Sequence, residues 1–306
     1  MLERSVSTIS DELKRNKVKR RYQPRKAQHK AYVRRKYAKY QGMKIVRHKA
    51  LRTFIEKHLL DDQTPEAIAG RLKRQTKLPY VSNVSIRHFI ASPYGRKIED
   101  KRERRRLNHK RKRRTRVAAL PNRRSIEKRP KVANLRQRVG DAEGDFIESG
   151  KDGKGKLLVI VDRKLRVTFI CQLRKPTVQN LLKALGRIKL RFPELRTLTL
   201  DNDIMFRQHE KFEQALGVTI FFCDPYASWQ KGTVENTNKY IRRDIPKGSN
   251  INTYSPQFVR SIESKLNRRM MKCLHYQTPA EALEKHRVRI QKQRLRALKR
   301  EITTES

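Results

Sequence analysis

The spacing of apolar positions changes character twice along this chain. In residues 1–95 apolar side chains recur three and four apart, which places them on one face of a helix. Val6, Ile9 and Leu13 open the series, with Ser5 or Ser7 as cap. Ala27, Ala31, Tyr32 and Ala38 continue it in a basic stretch with interleaved tyrosines, and residues 51–60 (LRTFIEKHLL) predict an amphipathic helix. Thr64, Pro65 and Glu66 read as an N-cap, a proline at the first helical position and an acid in the first turn, ahead of Ile68, Ala69 and Leu72. A turn (TKLPY) leads to a second short helix capped by Ser82, with Val84, Ile86, Phe89 and Ile90 facing inward. Two short helices in this order outline a helix-turn-helix, or any helical hairpin.

Apolar content nearly vanishes in KIEDKRERRRLNHKRKRRTR, which predicts a solvated linker able to lie along phosphates. From residue 141 the pattern becomes strand-like. KLLVIVDRK and RVTFICQL are apolar runs rich in Val and Ile, joined as a hairpin through DRKLR. DAEGDFIES precedes them, and RTLTLDN and VTIFFCD follow. Helical periods separate the later strands: Pro176 to Arg191, then HEKFEQALG, which Gly217 stops. SWQKGTVENTNKYIRRD reads as a helix capped by Ser228. Phe258, Ile262 and Leu266 mark another, and Thr278 with Pro279 opens a last one. Three antiparallel strands followed by strands linked through helices predict an α/β unit, a mixed five-stranded sheet flanked by helices behind an all-α region. The expected partition is 1–50 (partial helix-turn-helix and basic helices), 51–95 (second helix-turn-helix), 96–135 (linker), 136–285 (sheet domain) and 286–306 (basic tail without a core face).

Composition narrows the class. The 306 residues include 77 Lys and Arg against 30 Asp and Glu, a net charge of +47. That excess points to a polyanionic partner, nucleic acid first. It is uneven: residues 1–140 carry +33 and residues 141–306 carry +14. No apolar run approaches the ~20 residues of a membrane span, and MLERSVSTIS has no apolar signal core. Cys171, Cys223 and Cys273 are too scattered for a disulfide framework or a zinc knuckle. An intracellular DNA- or RNA-handling protein remains, expected in the cytoplasm with the nucleoid.

Three acids stand out in this basic chain: Asp145 in the first predicted strand, Asp201 ending the fourth, and Glu235 in the helix after the fifth. Each alone reads as a solvated charge or an arginine partner. Three carboxylates brought together repel one another unless a cation compensates, and a hard divalent ion bound by oxygen is the natural choice. Two such ions ~3.5–4 Å apart would activate a water or 3′-hydroxyl and stabilise the leaving oxygen of a phosphodiester. Glu143 shares the strand face of Asp145 and suits a supporting acid. Trp229, the only tryptophan, suits base stacking or simple packing. Lys231 and Lys239 flank Glu235 at four residues on either side and suit phosphate contacts or solvated charges. Asn236 and Asn238 suit DNA contact or orientation of the metal site. Arg87 on the second short helix is the candidate DNA contact of the N-terminal half.

The stretches SIEKRP, GDAEGDF, VDRKLR, LTLDN and, above all, DPYASWQKGTVENTNKYIRRDIPKG resemble the catalytic region of bacterial insertion-sequence transposases of the insertion-sequence-thirty group, members of the retroviral-integrase superfamily. The resemblance implies an RNase H-like fold with a catalytic triad at Asp145, Asp201 and Glu235. Its last two members are separated by 33 residues, the spacing of that group. STISDELKRN and TPEAIAGRLK with VSNVSIRHFI resemble the group's two helix-turn-helix modules; the likeness fades after about residue 285. The implied function is DNA transposition. The enzyme would bind double-stranded DNA at terminal inverted repeats, cut and transfer strands with Mg²⁺ or Mn²⁺, and work as a homo-oligomer. The supporting helix of the first module is expected upstream of residue 1. The group usually has Trp where Ala142 stands, Gly where Asp203 stands and Glu-Phe where Met205-Phe206 stand. These departures keep open a DNA-binding relic without catalysis. A basic RNA-associated protein explains the charge but not the spaced acids.

Overall fold

The computed structural model describes residues 4–18, 21–38, 43–74, 77–103, 122–150, 153–225 and 227–304. They fall into two units, Met1–Lys101 and Arg102–Ser306. Most of the predicted basic linker, residues 104–121, lies outside the described residues.

The first unit is helical: α1 (Val6–Asn16), a two-residue hairpin of β1 (Lys17–Val18) and β2 (Arg21–Tyr22), α2 (Pro24–Ala38), α3 (Met43–Arg47), α4 (Lys49–Leu60), α5 (Pro65–Arg74), α6 (Asn83–Ile90) and α7 (Arg96–Glu103). The local signals act where expected. The Ser5, Thr64 and Ser82 hydroxyls accept the Thr8, Ala67 and Ser85 amides and cap α1, α5 and α6. Ile45, Leu51, Ile55, Leu59, Ile68, Leu72, Ile86 and Phe89 form the core. Two expectations fail. Val6 is exposed and Ile9 and Leu13 are partly so, because among the described residues no core cluster includes the apolar face of α1. Val84 is exposed, because it lies about 200° around α6 from buried Ile86 and so on the other side of the helix.

The second unit contains α8 (Lys131–Asn134), β3 (Asp141–Glu148), β4 (Lys156–Asp162), β5 (Thr168–Leu173), α9 (Val178–Arg191), β6 (Thr197–Leu200), α10 (His209–Leu216), β7 (Thr219–Phe222), α11 (Gly232–Asp244), α12 (Pro256–Asn267) and α13 (Pro279–Thr304). The strands form one mixed sheet in the order β5-β4-β3-β6-β7. β3, β4 and β5 are antiparallel, and β6 and β7 run parallel to β3. This is the mixed, helix-flanked, RNase H-like sheet that the sequence predicts.

Alternation divides β4 between two cores. Leu158 and Ile160 pack with Leu181, Leu185 and Ile188 of α9 and Phe212 of α10. Leu157, Val159 and Val161 pack with Val234 and Ile241 of α11 and Ile262 of α12. Both faces being covered explains why β4 reads as an unbroken apolar run. Gly217, at φ 60°, adopts the left-handed turn that ends α10.

Three boundaries differ from the sequence reading. Residues 122–135 are not all linker: Ser125 bridges Phe222 of β7, and the Arg129 guanidinium reaches Thr199 of β6. Ser228 begins a 3₁₀ turn, Ser228–Lys231, and α11 starts at Gly232. The basic tail continues α13, tied down where Arg287 pairs with Glu194 at 2.8 Å. Phe258 stands at the rim of α12, partly exposed, while Ile262 and Leu266 are buried. Among the described residues no helix is long and apolar enough to cross a membrane.

Candidate active site

β3 and β6 lie side by side and parallel, with Glu143 opposite Thr199. Asp145, two residues along β3, therefore meets the turn that follows Leu200, where Asp201 sits. That turn is held from several sides. Asn202 donates to the Cys223 carbonyl at 2.9 Å and so ties it to the end of β7. Asp203 accepts the Met205 amide, and Phe206 stacks on Phe146 of β3 with ring centroids 4.8 Å apart. Asp203 also pairs with Lys156 at 3.3 Å, a cation it shares with Glu148 at 2.8 Å. Ala142 points to the opposite face of β3 and is fully buried in the α9 core.

Asp145 and Asp201 are brought together by a single cation. The Lys231 ammonium lies 3.0 Å from Asp145 Oδ1 and 3.3 Å from Asp201 Oδ2. It is buried, at 4% exposure, and also reaches the Gly144 carbonyl. This corrects its reading as a phosphate contact, because the 3₁₀ turn before α11 directs it into the sheet edge. Burial works against the Lys231 charge, yet Asp201 and Asp145 more than offset it and hold its pKa above the ordinary lysine value. Asp201 is shifted upward by burial, with Asp145 and Asp203 adding to the effect and Lys231 opposing it. The Asp201 Oδ1 atom is buried without a hydrogen-bond partner.

The helix bearing Glu235 is anchored to the same strand. Glu143 Oε2 accepts the Thr233 and Val234 amides at 2.8 and 3.0 Å, at the N-terminus of α11 where a negative charge is favoured. Its Oε1 pairs with buried Arg163 at 3.0 Å. One turn along, Asn238 donates to Asp145 Oδ2 at 2.7 Å. At the far end, Arg242 donates to the Glu148 carbonyl and the Gly150 amide donates to the Ser249 carbonyl. There the chains cross so closely that a Cβ on Gly150 would stand 1.9 Å from the Gly248 carbonyl oxygen.

Glu235 is half-buried, three residues before Asn238 and so on the same face of α11. The structure thus joins Asp145 and Asp201 through Lys231 and sets Glu235 on α11, the helix that Asn238 ties to Asp145. Among the described residues, no three acidic, histidine or cysteine side chains are close enough to enclose a metal ion. Trp229 is 76% exposed, which answers its packing reading. Lys239 and Asn236 are exposed on α11, and Arg87 is exposed on α6 in the other unit. Sequence reasoning missed Arg163 and Arg129 as parts of the site's foundation. Burial and the neighbouring Arg163 push the Arg129 guanidinium down to about 10. Both stand in motifs that carried the resemblance, VDRKLR and SIEKRP, but nothing local marks them as buried.

The chain is 36% identical over 292 residues to the transposase for insertion sequence element IS4351 of Bacteroides fragilis, across 90% of this chain and 85% of that protein. It is 31% identical over 300 residues to transposase InsI for insertion sequence element IS30A of Escherichia coli, across 93% and 77%. Against the transposase for insertion sequence element IS1086 of Cupriavidus metallidurans it is 31% identical over 243 residues, across 75% and 71%. No protein-family model matches. Among solved structures, the HTLV-2 integrase catalytic core, in complex with magnesium in a trimeric form, aligns at 17% identity and TM-score 0.37, over 47% of this chain and 97% of that one. The BIV integrase catalytic core aligns at 17% and 0.38, over 49% and 98%. With identities above 30% carried across more than three quarters of the two foremost relatives, this chain belongs to the insertion-sequence transposases of the insertion-sequence-thirty group, enzymes that cut and join DNA.

Proposed function

We propose that Asp145, Asp201 and Glu235 are the catalytic carboxylates and that together they hold Mg²⁺ or Mn²⁺. The observation that carries this reading is the shared cation: two acids far apart in sequence converge on one ammonium. The donor set fits a hard divalent ion, being all oxygen, with one Asp201 oxygen buried and unpartnered. When bound, the metal supplies an activated oxygen nucleophile and stabilises the oxygen that leaves phosphorus. The chain's own residues do the positioning. Asn238 fixes one oxygen of Asp145, Glu143 fixes the start of α11, and the Asn202 and Phe206 contacts fix the Asp201 turn. Lys231 neutralises the two aspartates, a role that a bound divalent ion would take over.

The substrate on this reading is the terminal inverted repeat of the element. Hydrolysis frees a 3′-hydroxyl, which then attacks a target phosphodiester at the same acids. In the N-terminal unit α5 and α6 act as a helix-turn-helix, with Arg87 and His88 exposed on α6 toward DNA. Trp229 stacks on a base near the cut and Lys239 meets a phosphate. Joining two ends requires at least two copies of the chain on DNA, working at the nucleoid in the cytoplasm.

The test is strand transfer on an oligonucleotide carrying an element end, with Mg²⁺. Asp145→Asn, Asp201→Asn and Glu235→Gln should each reduce product to background while end binding persists. Unchanged activity in these variants would remove the assignment. Normal binding with no metal-dependent cleavage by the unaltered chain would favour the DNA-binding relic.

A further inference from the structure

The second unit has a cavity far from the acids. It opens at the edge of the sheet where β3, β6 and β7 begin, under α13, and has a volume of about 960 Å³. Asp201 follows the other end of β6, so the length of that four-residue strand, ~13 Å, separates the two places. Arg138, Lys189, Arg196, Arg287 and Arg294 line the cavity, and Glu194 is its one lining acid.

Not all of this charge is available. Arg138 is neutralised by buried Asp141, and Arg287 by Glu194. Lys189, Arg196 and Arg294 have no carboxylate partner among the described residues. Lys189 is moreover shifted below the ordinary lysine value, by burial first and by the charge of Arg196 second. Lys189 donates to the Leu195 carbonyl, and Glu194 only partly offsets the repulsion it meets. Cations in excess in a concavity repel one another, and a ligand bearing negative charge relieves them.

The surroundings favour a polymer over a small anion. The side of α13 that faces the cavity adds Arg287 and Arg294, and Arg289, Lys292 and Arg296 are exposed on the other side of the same helix. No acid occurs between Lys285 and Arg300. A helix that carries cations on both sides and no acid over this span suits a phosphodiester backbone.

We propose that this basic cavity, together with the acid-free stretch of α13 above it, forms a second DNA-binding site, which grips the phosphate backbone of a duplex segment other than the one at the acids. The distinction between segments rests on the acids being the reacting site. The grip itself does not.

The experiment uses the full chain and a linear duplex of mixed sequence. Binding is measured against salt concentration for the unaltered chain and for a Lys189→Gln, Arg196→Gln, Arg294→Gln variant. A control variant removes the same charge from exposed positions elsewhere in this unit: Lys183→Gln, Arg207→Gln, Arg260→Gln. Each lost phosphate contact lowers the slope of log affinity against log salt by ~0.9, so the cavity variant should lose about 2 to 3 from its slope and the control should lose little. In a second arm, an immobilised duplex captures a second labelled duplex through the protein. The cavity variant should hold the first and lose the second, with circular dichroism confirming that it is folded. Both arms are repeated in the Asp145→Asn background. A cavity effect that persists there stands even if the acids prove not to be catalytic. Equal slopes for the cavity and control variants would overturn the proposal. So would a cavity that takes inorganic phosphate without any change in DNA slope, or preferential displacement of the DNA by duplex RNA.

Discussion

Two acids on one face of β3 live in opposite circumstances. Glu143 is buried, and its two oxygens are taken by a guanidinium and by two backbone amides that cannot leave. Asp145, two residues on, faces a lysine and an asparagine. Its companion Asp201 has an oxygen with no partner at all. A buried guanidinium paired with a carboxylate that also accepts two backbone amides makes a fixed joint, whereas an ammonium on a flexible stem is an exchangeable point charge. Asp162 belongs with Glu143: buried at the end of β4, it accepts the amides of Gly140, Lys164 and Leu165. The basic chain therefore spends one set of acids on architecture and keeps the other within reach of a ligand.

The largest effect that would sharpen this contrast is expected from Glu143→Ala. It strands buried Arg163 and opens two amides, which should cost about 3–5 kcal/mol in chemical denaturation. Glu143→Gln should recover part of that loss. If Glu143→Ala cost no more than Asp145→Ala, the division into fixed and exchangeable acids would break down.

Asp162→Asn comes next. It sets an amide against the Gly140 N–H and should cost about 1–3 kcal/mol near neutral pH. Burial pushes the Asp162 carboxyl up to about 6. Its folded pKa then exceeds the unfolded value, so the stability it contributes is fully present below about pH 4 and is lost as pH rises through about 6. The gap between the unaltered chain and Asp162→Asn should widen as pH falls from 6 to 4. A gap independent of pH would show that the acid stays ionised.

Lys231→Met addresses the exchangeable pair. It removes the competing ammonium and should tighten Mn²⁺ binding by about tenfold, or ~1.4 kcal/mol, followed by electron paramagnetic resonance. The sole tryptophan lies two residues away, so its fluorescence should respond to Mg²⁺ in the unaltered chain and do so at lower Mg²⁺ in Lys231→Met. Weaker Mn²⁺ binding in the variant would mean that Lys231 supports the metal site. The smallest effect is expected from Trp229→Ala. An exposed side chain outside any core should change stability by no more than about 0.5 kcal/mol, and a larger loss would mean that the ring packs after all.

Most of the fold was legible because its signals are local. The Thr64 and Ser82 caps, the helix stop at Gly217 and the unbroken apolar run of β4 each depend on neighbours within a few residues. The three acids were legible as positions, by their place at strand ends and by resemblance. Lys231 was not legible as their partner. Its sequence neighbourhood suits an exposed helical lysine, and only the parallel pairing of β3 with β6 creates the hole that it fills. Ser228 failed as a cap because the chain enters α11 through a 3₁₀ turn whose rotation no local pattern sets. Arg129 and Arg163 failed for a related reason, since their burial follows from contacts with Thr199 and Glu143, distant in sequence.

The crossing at Gly150 and Gly248 bears on how the enzyme can work. α11 is riveted at both ends, by Glu143 at its head and by this glycine-on-glycine seam at its foot. Sliding or tilting the helix would drag the central strand along with it. A rearrangement that gathers the acids around a metal would then fall to side chains and to short segments such as Ser228–Lys231, and not to the helix as a whole. The moving part of this machine would be a latch one helical turn long, with an indole for its flag.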